Sequence, residues 1–139
     1  MAEASQLWKF RDESSTTAMA IGSQGRYGAV GGRRSGVVFL GQDGRPVWRS
    51  REISDVRDIS LAGGGRAVLV ASGDNMVHYL DRRGREMWHR SLNHAATTVG
   101  VSSRADLVVT GLLRGSLHAY DRTGKLLWEH RPGGTDFRI

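Results

Sequence analysis

The sequence contains no cysteine, which excludes disulfides and thiolate metal sites and leaves redox compartment unmarked. Proline is almost missing, at 2 of 139 residues, and aromatic residues make up only 7%. No stretch approaches the ~18 apolar residues of a membrane-crossing helix, so no membrane partner is expected. The opening MAEASQLWKFRDESS has no apolar run behind a basic start. It does not read as a secretory leader, and the expected location is cytoplasmic.

The motifs of common chemistries are also missing. No G-x-S-x-G elbow presents a serine nucleophile, and no D-x-[DN]-x-[DN]-G loop is set to ligate calcium. His89, His94 and His130 lack the H-E-x-x-H spacing of a helical zinc site. A phosphate loop needs Gly-x-x-x-x-Gly-Lys-Ser/Thr; Gly124-Lys125 is followed by Leu126, and Ala119 stands where the first glycine belongs. No catalytic residue, metal or cofactor is therefore expected.

What the chain has in quantity is glycine, with 19 residues scattered among short apolar runs, and a hydrophobic content of 39%. Frequent turn glycines between short runs predict an all-β chain, and the apolar content is enough for a packed core. The four tryptophans, Trp8, Trp48, Trp88 and Trp128, are 40 residues apart each time. A fixed period of this length marks a repeat architecture. The register extends without a gap: RPVWRS matches REMWHR and KLLWEH, GVVFLG matches MVHYLD and SLHAYD, and YGAVGG matches AVLVAS and LVVTGL.

Each unit reads as four short strands in a meander. Their near-continuous apolar content predicts a sheet covered on both faces. Asp81-Arg82-Arg83-Gly84 and Asp121-Arg122-Thr123-Gly124 are hairpin turns. The Asp accepts a hydrogen bond from the backbone two residues on, and the Gly takes the left-handed conformation. Gly41-Gln42-Asp43-Gly44 keeps only the closing glycine.

The string D-x-x-G-x-x-x-W, clearest from Asp121 to Trp128, resembles the repeat of the pyrroloquinoline-quinone-type (PQQ-like) β-propellers. The resemblance implies four-stranded blades whose outer-strand tryptophan docks between neighbours. WD repeats fit less well, because Lys9, Arg49, His89 and Glu129 follow the tryptophans where that family has aspartate.

In this reading residues 1–16 carry a leading outer strand, 17–56, 57–96 and 97–134 are three blades, and 135–139 start a further inner strand. Three blades are fewer than the ~4–8 that close a propeller ring. The expected partners are therefore missing blades of a longer chain or further copies of this one, a dimer before a trimer. The expected function is a non-catalytic scaffold or protein-interaction module; the alternative is a fragment of a PQQ-type quinoprotein enzyme.

Trp8, Trp48, Trp88, Trp128, Gly44, Gly84, Gly124, Asp81 and Asp121 repeat in phase and are assigned to structure. His78 and His118 also share a phase but have Val38 as their mate, which reads as core or edge histidine. The loops on the opposite rim differ between units, and variable loops on a regular scaffold are where binding residues are usually placed. Asp55, Arg57, Asp74, Asn75, His94 and Arg114 are the candidate contacts there. The net charge is +6, and 18 of the 20 basic residues are arginine, a balance that favours acidic partners. Many of these arginines sit in phase beside turn glycines, as solvated hairpin ends do, and few aromatics are left for base stacking. Nucleic-acid binding is the weaker reading, and no specific nucleic-acid partner is expected.

Overall fold

A computed structural model describes residues 5–12, 15–22, 25–132 and 135–138, the last stretch by its backbone alone. Among the described residues the regular structure is thirteen strands, with a 3-10 turn at Gly63–Gly65. Three antiparallel meanders follow one another. The first sheet is β1 (Thr16–Ile21), β2 (Gly28–Gly32), β3 (Val37–Leu40) and β4 (Pro46–Ser50); the second is β5 (Val56–Leu61), β6 (Ala67–Ser72), β7 (Met76–Asp81) and β8 (Glu86–Ser91). The third holds β9 (Ala96–Val101), β10 (Leu107–Leu112), β11 (Leu117–Asp121), β12 (Leu126–Arg131) and, beyond its outer strand, β13 (Thr135–Arg138). Among the described residues the three sheets do not close a ring, and no helix is long and apolar enough to cross a membrane.

The continuous apolar runs are explained by burial on both faces of a sheet. All six residues of β6 are buried. Its side chains alternate as any strand's do, so Val68 and Val70 enter the seam with the first sheet while Ala67, Leu69 and Ala71 enter the seam with the third. The first seam is completed by Ala29, Val37, Phe39, Ile53, Val56, Ile59 and Leu80. The second is larger and more aromatic, with Tyr79, Trp88 and Tyr120 among Leu92, Val99, Val108 and Leu112.

The inner strands sit side by side, β5 against β1 and β9 against β5, and polar groups pin them. Thr17 Oγ1 donates to the Val56 carbonyl at 2.6 Å. Asp58 Oδ2 accepts both the Thr98 hydroxyl and the Val99 amide at 2.9 Å. At the rim the Asp55 amide donates to the Arg33 carbonyl, and the Asp55 carbonyl accepts from Gly73, each at 2.8 Å.

Both ends depart from the expected pattern. Residues 5–12 form no strand, although a leading outer strand was expected in residues 1–16; residues 1–4, 13 and 14 lie outside the described residues. Residues 135–138, expected to begin a further inner strand, pair antiparallel with β12 instead, Trp128 opposite Arg138 and Arg131 opposite Thr135. The physical reason is local. The edge of β12 is only three residues back along the chain, and loop closure over so few residues costs little.

Candidate interaction surface

The regular rim is built around the hairpins that close each outer strand. Asp81 Oδ1 accepts the Arg83 and Arg85 amides at 2.9 Å, and Asp121 Oδ1 accepts those of Thr123 and Lys125 at 2.8 and 3.0 Å. The Thr123 hydroxyl and these amides hold the Asp121 carboxyl below the usual carboxylate range. In the first sheet Asp43 takes over, accepting the Arg45 amide at 3.0 Å.

Gly44, Gly84 and Gly124 all have φ near +80°, at 78°, 83° and 86°. Each also lies under the tryptophan of the preceding repeat. A Cβ on Gly44 would come within 2.4 Å of the Trp8 ring, one on Gly84 within 2.7 Å of Trp48, and one on Gly124 within 2.8 Å of Trp88. Trp48 Nε1 donates to the Arg82 carbonyl and Trp88 Nε1 to the Arg122 carbonyl, both at 2.8 Å. Trp8 thus takes the place of an outer-strand tryptophan without being in a strand. Asp12 anchors the same segment, accepting the Ser35 hydroxyl at 2.7 Å and pairing with Arg49 at 3.2 Å. Trp88 is 8% exposed and Trp8 is 44% exposed; Trp48 and Trp128 are half-buried.

The structure divides the six rim candidates into groups. Asp55 and Arg57 form an ion pair at 3.0 Å, with the Asp55 carboxylate packed so closely on Gly73 that a Cβ there would clash. Asp74 and Asn75 share the next turn: Asp74 accepts the Ser72 hydroxyl, and Asn75, at φ 63°, accepts the Leu92 amide at 2.7 Å through its carbonyl. His94 is half-buried in the link to the third sheet, and Arg114, at φ 79°, is exposed at its turn. Four of the six therefore hold the turns in shape. Among the described residues no group of three or more His, Cys, Asp or Glu is placed to hold a metal ion.

Beside Asp74 lies a cleft of about 300 Å³ that the sequence did not single out, lined by Ser50, Glu52, Ile53, Met76, His78, Leu80, Gly84, Glu86 and His89 as well. His78 is fixed at its inner wall, with Nδ1 2.5 Å from Glu86 Oε1 and Nε2 3.1 Å from Ser72 Oγ. His89 Nδ1 lies 3.3 Å from Glu86 Oε2. Burial pulls the Glu86 carboxyl upward, but the two histidines outweigh it and hold it below its ordinary value. A serine, a histidine and a glutamate in this order suggest a hydrolytic relay, but the arrangement fails as one. Ser72 is fully buried and its hydroxyl is directed at Asp74, so it presents no nucleophile to the cleft. His118, the repeat mate, is buried beside Tyr120, with Nδ1 3.3 Å from the phenol and Nε2 3.5 Å from Glu129. Both histidines are buried.

Residues 2–137 match the family described as outer membrane protein assembly factor BamB. The chain belongs to this family of PQQ-like β-propellers. Among solved structures, BamB from Moraxella catarrhalis superposes with a TM-score of 0.77 at 23% identity, covering 90% of this chain and 39% of that one. Kuenenia stuttgartiensis hydrazine synthase superposes with a TM-score of 0.76 at 8% identity, covering 96% of this chain and 40% of that one. At these identities the likeness is one of fold. The chain spans about two-fifths of the length of either structure. No curated protein matches it in sequence.

Proposed function

We propose that this chain is a non-catalytic scaffold, a run of propeller blades whose end faces are completed by further blades and whose variable rim meets a protein partner. One comparison carries the reading. Met19, Ile59 and Val99 hold the same place in successive inner strands, yet Met19 is 62% exposed while Ile59 and Val99 are 4% and 6% exposed. The later two are covered by the preceding sheet; the first has the same apolar character and no cover among the described residues, and Ile21 beside it is 69% exposed. An apolar face of this kind needs a partner. Burial at ~25 cal/mol per Å² makes a few hundred Å² enough to offset much of the cost of association.

The leading and trailing faces differ, so copies join head to tail, and such contacts form rings when the rotation permits. Two copies supply six blades, within the usual range. Native mass spectrometry or light scattering on the chain tests this. The expected mass is twice the 15.2 kDa of one chain. A folded monomer at micromolar concentration refutes self-association and leaves further blades of a longer chain as the cover. The quinoprotein alternative has its own test: added quinone with calcium should give neither a spectral change nor dye reduction, and either response would establish it.

A further inference from the structure

The cleft between the first and second sheets has a counterpart in the second seam, and the two differ in an instructive way. In the second seam Arg90 reaches over the hairpin of the third sheet. Its Nε donates to the Gly124 carbonyl at 2.8 Å, its Nη1 donates to the His89 carbonyl at 2.6 Å, and its guanidinium carbon lies 5.4 Å from the centre of the Trp88 ring. The guanidinium is so close to Gly124 that a Cβ there would meet Nη2 at 2.6 Å. This is a protein-made guanidinium site: a glycine carbonyl to accept, an indole to stack against, and little spare volume.

Moving back one repeat, Arg90 becomes Ser50, Gly124 becomes Gly84 and Trp88 becomes Trp48. The hairpin and the indole are held alike, with Trp48 on Gly84 and its Nε1 on the Arg82 carbonyl. The arginine is missing, and the cleft lined by Ser50 and Gly84 stands in its place. Two neighbouring positions change in the complementary sense. Leu92 and Leu126 of the second seam correspond to Glu52 and Glu86 of the first, and both glutamates line the cleft. Glu52 is exposed and its side chain has no hydrogen bond or ion pair among the described residues. Arg49, Arg51 and Arg85 stand on the outer side of the same groove. Arg49 and Arg85 are engaged by Asp12 and Asp81, at 3.2 and 3.1 Å, and Arg51 also has a partner. Where the chain sets its own guanidinium beside the indole the flanking positions are apolar; where it sets none there they are carboxylates.

We propose that this cleft receives a guanidinium from outside the chain, an arginine side chain presented by a partner protein. It would stack on Trp48, donate to the Gly84 carbonyl and pair with Glu52 and Glu86. A volume of about 300 Å³ is at the small end for ligand sites, which suits one side chain. The geometry favours the planar fork of arginine over the point charge of lysine. That the arginine belongs to a protein rests on the scaffold reading; the guanidinium site itself does not.

The test is an NMR titration of the full chain with N-acetylarginine amide, N-acetyllysine amide, methylguanidinium and an acetylated Gly-Arg-Gly amide. The expected result is saturable shifts of the Trp48 indole and Gly84 amide with the arginine probes, no shift at Trp88 or Gly124, and a much weaker lysine response. Glu52→Gln with Glu86→Gln should weaken binding about tenfold or more, as loss of charge-assisted hydrogen bonds does. Ser50→Arg should fill the cleft from within and abolish binding while the Trp88 signals stay in place. No saturable shift, an equal lysine response, or full binding by a folded Ser50→Arg variant would overturn the site. Binding of methylguanidinium but not of the tripeptide would keep the site and refute the protein partner. Native mass measured on the same sample scores the ring separately.

Discussion

Replacing Trp88 by alanine should be the most damaging tryptophan truncation in the chain, and the structure sets its size. The ring stacks on Tyr79 with centroids 5.2 Å apart, meets Tyr120 at 5.7 Å, lies over Gly124 and is 8% exposed. An aromatic side chain buries ~150–250 Å²; at ~25 cal/mol per Å² this is about 4–6 kcal/mol, an upper value because the unfolded chain buries part of it already. The Nε1 bond to the Arg122 carbonyl adds ~1 kcal/mol, and alanine retains the Cβ. The expected cost is about 3–5 kcal/mol, as for other buried aromatics. Trp48→Ala should cost less, since no arginine covers that half-buried ring. Trp8→Ala, at 44% exposure, should cost about 1 kcal/mol.

Urea denaturation followed by far-UV circular dichroism measures this, with unchanged m-values as the check that the unfolded state is the same. In a repeat array each unit is stabilised mainly by its neighbours. Trp88→Ala should therefore loosen β9–β12 first, seen as faster amide exchange there than in β1–β4. Loss of less than ~0.5 kcal/mol in Trp88→Ala, or a Trp8→Ala cost as large as that of Trp88→Ala, would refute the docking argument.

Four further outcomes follow from the same structure. Gly124→Ala should cost ~1–3 kcal/mol, because φ is 86° and the new methyl meets Arg90 and Trp88; a thermal melt checks it. Glu86 contributes stability above its unfolded pKa, near the ordinary 4.5, because the folded value is lowered. That contribution is lost as pH falls through the folded value, so the stability gap between the parent and Glu86→Gln should narrow in acid. Asp58→Ala should cost ~1–3 kcal/mol by orphaning the Thr98 hydroxyl and Val99 amide, with faster exchange of the Val99 amide as the signature. Despite the +6 charge, binding to a defined oligonucleotide should be non-specific and fall steeply with salt; sub-micromolar affinity at physiological salt would contradict this.

The sheets, their turns and the tryptophan–glycine phase were legible in the sequence because each rests on short-range physics. The Asp–Gly hairpin needs its own four residues, and strand periodicity needs only the next side chain. The two ends were not legible, because a strand's partner is chosen by which edges are free. Residues 135–138 carry the inner-strand phase, yet pair with β12. Among the rim candidates, Asp74 lines a cleft that the sequence pattern does not show, and Asp55 and Asn75 are occupied in shaping turns. Their positive φ values, 51° and 63°, come from a tertiary demand that residue type only hints at.

The cleft is not legible in the repeat pattern, because that pattern displays residues that recur and the cleft is made by residues that do not. Ser50 against Arg90, Glu52 against Leu92 and Glu86 against Leu126 are unremarkable one at a time. In a repeat protein, however, each seam is an internal control for the next. The matching hairpin glycine and the matching indole bond hold the local geometry alike, so substitutions around them mark what that seam does differently. Here loss of a buried-face cation coincides with gain of two carboxylates around the same point. A seam that only needed packing could have retained Leu92 and Leu126 equivalents and closed over Ser50, as apolar side chains fill volume without leaving charge to be satisfied. Glu86 already leans on His78 and His89, but exposed Glu52 has no such partner among the described residues, and an arriving cation would link the variable rim, where Asp74 stands, to the regular one, where Gly84 turns.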